Sequence, residues 1–109
     1  MALDETAFEK LATATLSRLA DAIEDGLADH VEVEFQGGIL TVDLDDGGQY
    51  VINKHGPNRQ IWLSSPKSGA WHFAWDEAGQ AWASTRAPAI LEGLLSQELS
   101  AATGVTIEL

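Results

Sequence analysis

Hydrophobic positions along the chain change their spacing twice and so divide it into three parts. From Asp4 to about Asp29, and again from Pro88 to about Thr103, apolar residues recur at the spacing of one helix face. The first stripe contains Phe8, Leu11, Leu16, Leu19, Ile23 and Leu27, and the second contains Ile90, Leu91, Leu94, Leu95, Leu99 and Ala102. Pro88 suits the first turn of the second helix, and Gly104 suits its C-terminal cap. An amphipathic helix is therefore predicted at each end of the chain.

Between the helices, from Val31 to about Ala83, the period falls to two, which is typical of strands. The alternating segments are VEVEF, ILTVDL, QYVIN, QIWLS, WHFAW and QAWAS, and they are separated by QGG, DDGG, KHGPN, SPKSG and DEAG. Short strands joined by tight turns predict an antiparallel meander in sequence order. We expect one α+β domain over residues 1–109, a two-layer sandwich with both helices packed on one face of a sheet of about six strands. The tail VTIEL alternates again and should pack its apolar residues against the helices.

One strand of the predicted sheet carries a tryptophan on the side where polar residues are expected. In QIWLS, strict alternation places Ile61 and Leu63 on one face and Trp62 on the other. If the apolar pair faces the helices, Trp62 lies on the open face of the sheet, near Val51 or Asn53 of the preceding strand. Three interpretations remain open: a core residue in a shifted register, an indole packed over a neighbouring side chain, or an exposed aromatic that a partner protein covers.

Charge is distributed unevenly along the chain, and the distribution is more informative than the net charge of −11. Residues 1–46 carry a net −10, residues 47–75 carry +3 without a single acid, and residues 76–109 carry −4. Such a negative end argues against nucleic acid, whose phosphates attract the opposite sign, and favours a cation or a basic protein as partner. The absence of cysteine excludes disulfides and thiolate metal sites. No apolar run approaches the ~20 residues needed to cross a bilayer, so a soluble protein without membrane contact is expected.

Several motifs together give the sequence a family resemblance. The acidic first helix, GGILTV and YVINKHGPNRQIWLSSPKSG follow one another over nearly the whole chain, and in this order they resemble the frataxin family, including its bacterial CyaY-type members. The most specific part is NK..PN.QIWLSSP..G, from Asn53 to Gly69. The resemblance implies an iron-binding protein of iron–sulfur cluster assembly that docks on the cysteine desulfurase–scaffold complex and either regulates it or supplies iron. It also implies a bacterial cytoplasmic protein, with a mature mitochondrial matrix form as the alternative.

Acidic residues at the end of the first predicted helix are the candidate metal ligands. Asp21, Glu24 and Asp25 stand at i, i+3 and i+4 and therefore share one helix face, where the resemblance places the acidic ridge of the family. Further candidates along this ridge are Asp29, His30, Glu32, Glu34 and Asp43. Carboxylate oxygens suit hard cations, so we expect Fe²⁺ or Fe³⁺ to bind weakly, at roughly 10⁻⁶ to 10⁻³ M, on an open surface. The competing interpretation is a solvated helix face, although like charges at these spacings repel each other.

The resemblance also assigns scaffold contacts to three residues of the open face, Asn58, Gln60 and Trp62. The ridge would dock on a basic groove of the desulfurase, and the protein is expected to be a monomer, with iron-driven oligomerisation left open. Trp75 and Trp82 are expected in or beside the core, and Trp71 is left open. His55 is assigned to a turn, and His72 either to the open face or to an ordinary strand position.

Enzymatic chemistry has little support in the sequence. Paired carboxylates need a sheltered pocket to separate their pKa values, and a convex helix face offers none. Phosphate-binding loops, dinucleotide fingerprints and nucleophile motifs are missing, since GGIL and DDGG are hairpin turns. No enzyme is therefore expected, with a weak ferroxidase activity, as in some family members, as a minor alternative. The competing function from another class is a metal-independent protein-interaction module with an acidic docking face.

Overall fold

Alternation in the middle of the chain becomes an antiparallel sheet, with one helix before it and one after it. In the computed structural model, which describes residues 3–109, the order is α1 (Glu5–Leu27), β1 (Val31–Gln36), β2 (Ile39–Leu44), β3 (Gln49–His55), β4 (Gln60–Ser65), β5 (Gly69–Asp76), β6 (Ala81–Ser84) and α2 (Leu91–Thr103). The strands pair in sequence order, from β1 at one edge to β6 at the other. Both helices share one core with one face of this sheet, so the predicted α+β two-layer architecture is confirmed. Neither helix is both long and apolar enough to cross a membrane, within the residues described.

Local sequence explains where α1 begins and which of its faces is buried. The carboxylate of Asp4 accepts a hydrogen bond from the backbone N–H of Ala7 (2.7 Å) and so caps the helix. The buried residues of α1 are Phe8, Ala12, Thr15, Leu16, Leu19, Ala20, Ile23 and Leu27. They pack on alternate residues of the strands, among them Leu40, Ile52 and Ile61. Burying one Leu or Ile side chain contributes roughly 1.5–3 kcal/mol, so this stripe fixes α1 on the sheet.

Trp82, on the edge strand β6, lies in the core and is only 1% exposed. Its indole Nε1 donates a hydrogen bond to the hydroxyl of Thr15 on α1 (3.0 Å), which itself donates to the carbonyl of Leu11 (2.8 Å). Phe8 and Trp75 contact the same ring edge to face, with centroid distances of 6.0 and 5.3 Å. Trp82 therefore lies in the core and Trp75 beside it, as the sequence predicted.

The second helix begins later than predicted. Pro88 lies in a loop instead of the first helical turn, and Ile90 is an extended N-cap residue (φ −116°, ψ 140°) that is 48% exposed. The cause is a strand-like contact, because Ile90 forms an antiparallel bridge with Ala83 of β6. Ala102, predicted in the buried stripe of the same helix, is exposed. Apolar periodicity overestimated the length of this helix, because it could not distinguish a helical turn from an extended segment that pairs with β6.

The C-terminal end of α2 and the tail follow the prediction. Gly104 has a positive φ of 75°, and its N–H donates to the carbonyl of Ser100 (2.9 Å), which caps the helix. Beyond the cap, Val105, Ile107 and Leu109 are partly buried against the core. The N–H of Ile107 donates to the hydroxyl of Ser100 (3.0 Å). Apolar contacts and hydrogen bonds therefore hold the tail in place.

A carboxylate on α2 connects this helix to β3 and to the turn after β4. Glu98 accepts hydrogen bonds from Tyr50 (2.9 Å) and Ser65 (2.6 Å) at Oε1 and from Ser68 (2.5 Å) at Oε2. The hydroxyl of Ser65 also accepts the backbone N–H groups of Lys67 and Ser68 (3.0 and 3.1 Å). Burial, reinforced by the bond to Glu98, raises the pKa of Tyr50, so its phenol remains a donor. One buried serine of the SSP motif thus joins the strand, the turn and the helix.

Replacing Ser65 by alanine should destabilise the fold, whereas the same change at the neighbouring Ser64 should not. Ser65 is buried and bonded as described, while Ser64 is exposed on the opposite face of β4. We expect Ser65→Ala to lower the free energy of unfolding by about 1–3 kcal/mol, because Glu98 and the turn lose a partner. Ser64→Ala should change it by less than about 0.5 kcal/mol. Urea unfolding followed by tryptophan emission measures both values, and equal effects would contradict the assignment.

Candidate metal-binding ridge and docking face

Three acids predicted as metal ligands occupy the C-terminal end of α1. Asp21, Glu24 and Asp25 are all exposed and lie on the side of the helix opposite its buried stripe. The last turn of α1 contains no basic residue. Because the C-terminal end of a helix dipole is itself negative, these carboxylates are repelled both by one another and by the helix end. We call these three residues the acidic ridge.

The carboxylates of the acidic ridge have no ion pair and no side-chain hydrogen bond within residues 3–109. The ion pairs found there join Arg18 to Glu92, Lys54 to Glu9 and Lys67 to Asp46. Arg18, although it is on α1, is occupied by Glu92 on α2 (2.8 Å) and by the carbonyl of Leu109 (3.3 Å). The negative charge of the ridge is therefore uncompensated, and a bound cation or a basic surface would relieve the repulsion.

Asp29 and His30 lie beyond the helix instead of continuing its acidic face. Since α1 ends at Leu27, Asp29 falls in the following turn, where it is exposed. His30 is half-buried and lines a groove with Asp45 and Asp46 of the turn between β2 and β3. The structure thus groups His30 with a different pair of acids, and its role as a ligand stays a prediction.

Further acids lie on the first two strands, on the sheet face that points away from the helices. Glu32 directly opposes Asp43, and Glu34 directly opposes Thr41. Together with Gln49, whose side-chain amide donates to Asp43 (2.7 Å), they line a shallow groove. The candidate ligands are therefore divided between the outer side of α1 and the open face near β1.

No three histidine or carboxylate side chains in the part of the chain that is described stand close enough to hold one metal ion together. Carboxylate oxygens fit Fe²⁺, Fe³⁺ and other hard cations by their chemistry. On the ridge, however, they are spread along a convex surface open to water. The arrangement suits weak, solvent-exposed binding in which water completes the coordination of the ion.

Trp62 lies on the open face, where alternation placed it, but two histidines cover its ring. It directly opposes Asn53 on β3 and His72 on β5, so a core position in a shifted register is excluded. The indole stacks between His55, with 3.6 Å between centroids and 8° between planes, and His72, with 4.2 Å and 10°. Trp62 is consequently only partly exposed, and the interpretation of an indole packed over neighbouring side chains describes it.

The other two predicted scaffold contacts lie beside the same rings. Gln60 directly opposes His55, and its side-chain oxygen accepts the indole N–H of Trp62 (2.8 Å). Asn58 is exposed in the turn after β3, and its backbone N–H donates to Nδ1 of His55 (3.4 Å). The next residue, Arg59, has a positive φ of 50°, which is uncommon outside glycine. The structure therefore brings Asn58, Gln60 and Trp62 together around His55.

His55 and His72 are residues of this face that the sequence did not assign to a site. His55 is the last residue of β3, so its assignment to a turn was wrong. The alternation in WHF was a usable signal for His72, since it separates His72 from Trp71 and Phe73 and places its ring on the open face with Trp62. The alternation that places Val51 and Asn53 on the open face also extends to His55, but its assignment to a turn left this signal unused.

Trp71 faces the helix side of the sheet and has a structural role. The guanidinium of Arg86 lies 3.7 Å from the centroid of its ring. Its indole N–H donates to the hydroxyl of Ser68 (2.8 Å), which also bonds Glu98. A cation–π contact of this kind contributes roughly 0.5–1 kcal/mol when exposed to water. Trp71 therefore extends the hydrogen-bond network of the SSP motif.

Comparison with known proteins agrees with this arrangement of helices and strands. A model of the frataxin-like domain matches residues 1–105. The chain is 42% identical to the mitochondrial frataxin of Arabidopsis thaliana, over 98% of this chain and 59% of that protein. It is 33% identical to the iron–sulfur cluster assembly protein CyaY of Neisseria meningitidis serogroup B, over 98% of this chain and 96% of that protein. The chain thus spans less than two thirds of the plant relative and nearly all of the bacterial one.

A solved structure extends the similarity to three dimensions. The fold is similar to that of a trimeric frataxin from the yeast Saccharomyces cerevisiae, described as complexed with ferrous, with a TM-score of 0.71 and 32% identity. The match covers 95% of this chain and 89% of the yeast chain. Sequence motifs, strand order and these relatives agree, and the chain belongs to the frataxin-like family.

Proposed function

We propose that the protein binds iron and takes part in iron–sulfur cluster assembly, where it docks on the cysteine desulfurase–scaffold complex and either regulates it or supplies iron. The observation that carries this proposal is the uncompensated acidic ridge of Asp21, Glu24 and Asp25 at the negative end of α1. Such an arrangement lowers the stability of the helix, so the fold itself does not require it. Membership of a family that includes a protein named for iron–sulfur cluster assembly supports the choice of process.

Iron acts in this proposal as cargo held for a short time. An ion bound by surface carboxylates and water exchanges readily with the solvent, which suits transfer better than storage. Additional ligands at the margins of the ridge are Asp29, His30, Glu32 and Glu34. The ferrous complex of the yeast relative supports iron as the metal.

Docking uses two surfaces on opposite sides of the molecule. The acidic ridge lies on the outer side of α1 and contacts a basic groove of the desulfurase. Asn58, Gln60 and Trp62 lie on the open face of the sheet and contact the scaffold protein. Because the helices and the open face belong to opposite sides of a two-layer sandwich, both partners can be bound at once. Iron and the desulfurase compete for the same carboxylates.

The remaining properties follow from the same proposal. Residues 1–109 act as one domain that performs no catalysis of its own. We take the protein to be a monomer and leave iron-driven association open, and the trimeric yeast relative supports a capacity for association. It works in the bacterial cytoplasm or, in a mature form, in the mitochondrial matrix.

A second candidate function is a protein-interaction module that needs no metal. The observation in its favour is that no three metal-ligating side chains within residues 3–109 converge on one point. In this case the ridge would bind the desulfurase through charge alone, and Fe²⁺ would bind no better than Mg²⁺. The two candidates therefore differ in one measurable property, the preference for iron.

Neutralising the acidic ridge should stabilise the protein. In the variant Asp21→Asn, Glu24→Gln, Asp25→Asn, the like charges no longer repel one another or the helix end, so the free energy of unfolding should rise by about 0.2–0.5 kcal/mol per pair. Urea unfolding at low ionic strength measures this gain. The control variant Asp45→Asn, Asp76→Asn, Glu108→Gln removes the same amount of charge elsewhere. Its free energy of unfolding should rise less. Equal gains would show that net charge, and not the ridge, lowers stability.

An anaerobic NMR titration with Fe²⁺ tests the proposed iron site. We expect the backbone amide signals of residues 21–34 to shift or broaden at roughly 10⁻⁴ M Fe²⁺ and to remain unchanged with Mg²⁺ at the same concentration. The ridge-neutralised variant should lose the response, whereas the variant at Asp45, Asp76 and Glu108 should keep it. Identical responses to both ions, or no response to either, would favour the metal-independent module.

Binding to the desulfurase–scaffold complex tests the two docking surfaces. Reversing the charge with Asp21→Lys, Glu24→Lys and Asp25→Lys should weaken binding to the desulfurase at least tenfold, because the three lysines would repel the basic groove. Trp62→Ala should weaken binding to the scaffold protein by about tenfold and leave the iron response intact. Calorimetry with each isolated partner separates the two effects. Unchanged binding in both variants would contradict the proposal.

A further inference from the structure

A groove between α1 and the edge of the sheet at β6 lies apart from the acidic ridge and from the open face of the sheet. Its volume is about 290 Å³, close to the lower limit of the ~300–1,000 Å³ that small-molecule sites occupy. Leu11, Trp75 and Trp82 supply apolar surface, and Arg18 of α1 and Glu92 of α2 supply charged groups. An apolar wall with a few polar groups is typical of sites for small molecules. We call this feature the ion-pair groove.

Both members of the ion pair have hydrogen-bonding capacity that the described residues do not use. Nη2 of Arg18 donates to Oε2 of Glu92 (2.8 Å), and Nη1 donates to the carbonyl of Leu109 (3.3 Å). A guanidinium has more N–H donors than these two bonds occupy, so part of the fork stays available. Oε1 of Glu92 is buried and has no hydrogen-bond partner within residues 3–109. Since buried polar atoms almost always have a partner, this oxygen points to a donor from outside that part of the chain.

Trp75 adds an unused donor and an apolar surface to the groove. The indole N–H groups of Trp62, Trp71 and Trp82 each donate to a side chain (2.8, 2.8 and 3.0 Å), whereas that of Trp75 has no such partner among the residues described. Trp75 meets Trp82 edge to face, with 5.3 Å between centroids, and is itself partly exposed. Part of its ring is therefore free to contact an apolar group of a ligand.

We propose that the ion-pair groove binds a small zwitterion, namely an α-amino acid with an apolar side chain. Arg18 and Glu92 together are neutral, so a ligand of a single sign would bring a charge that the pair cannot balance. In an α-amino acid the carboxylate and the ammonium are adjacent, as the guanidinium and the carboxylate are here. The ligand carboxylate accepts two parallel N–H groups of Arg18, and the ammonium donates to Oε1 of Glu92. The apolar side chain packs on Trp75.

Binding requires the carboxylate of Glu92 to turn, because Oε1 is buried while Oε2 holds Arg18. The side chain of Glu92 is 24% exposed and that of Arg18 50%, and the terminal torsion of a glutamate has a broad range. Exposed ion pairs of this kind contribute little to stability, so a ligand can replace the contact without loosening the two helices.

An NMR titration with L-leucine, followed through the indole N–H signals, tests this inference. We expect the signals of Trp75 and Trp82 to shift and to saturate with a dissociation constant of roughly 10⁻³ M, as for a ligand of this size. The indole of Trp62, on the open face, is the internal control and should not shift. N-acetyl-L-leucine lacks the ammonium and L-leucinamide lacks the carboxylate, so each should bind about tenfold more weakly than L-leucine.

Two variants test the ion pair itself. Glu92→Gln keeps the size of the side chain and removes its charge, and Arg18→Lys keeps the charge and removes the planar fork. Each should weaken the binding of L-leucine about tenfold. Glu9→Gln, which breaks the ion pair with Lys54 outside the groove, is the matched control and should bind as the wild type. Urea unfolding establishes that each variant is folded, and either variant alone is sufficient for the test.

Absence of any shift at about 10⁻² M L-leucine would overturn the proposal. Equal affinities for L-leucine, its N-acetyl derivative and its amide would also overturn it, since the groove would then recognise only the apolar side chain. Unchanged affinity in both Glu92→Gln and Arg18→Lys would overturn it as well, because the ligand would then bind elsewhere. The iron response of the acidic ridge is measured separately, so failure here and failure of the proposed function are distinguishable.

Discussion

Coverage of the sheet on a single face is the constraint from which the other features of the molecule follow. Because α1 and α2 bury alternate residues on one side, every strand carries a second set of side chains that no helix covers. This requirement places Trp62 beside two histidines instead of in the core. The outer side of α1 is equally uncovered, so Asp21, Glu24 and Asp25 are exposed to solvent. Both candidate functional surfaces are thus products of the same two-layer architecture.

Periodicity predicted the architecture because burial depends on which residues share a face. The predictions that failed were those in which a single contact overrode the period. A bridge to Ala83 holds Ile90 extended, so α2 begins later than predicted. His55, predicted in a turn, extends β3 and stacks on Trp62. Charge spacing located the acidic ridge, yet it could not show that Asp29 lies outside α1. Whether carboxylates converge on one ion depends on distances that spacing along a helix does not define.

Stability and proposed function make opposite demands on two parts of the helix layer. The ridge places like charges at the negative end of a helix dipole, which costs stability without improving packing. On α2, Glu98 holds β3, the SSP turn and the helix together through three hydroxyl groups. The SSP motif therefore contributes to the fold, while Trp62 of the same strand lies on the open face, where we propose contact with the scaffold protein. A short sequence motif can in this way combine residues selected for different reasons.

The position of β1 at the edge of the sheet has a consequence for aggregation. An edge strand offers unpaired backbone groups to any second sheet, and charged side chains are a common protection against such pairing. On β1 this protection is supplied by Glu32 and Glu34, which are also candidate metal ligands. A cation that neutralises them would remove the repulsion between two such edges. If the proposed iron binding extends to Glu32 and Glu34, the ion would neutralise the same two carboxylates that protect this edge.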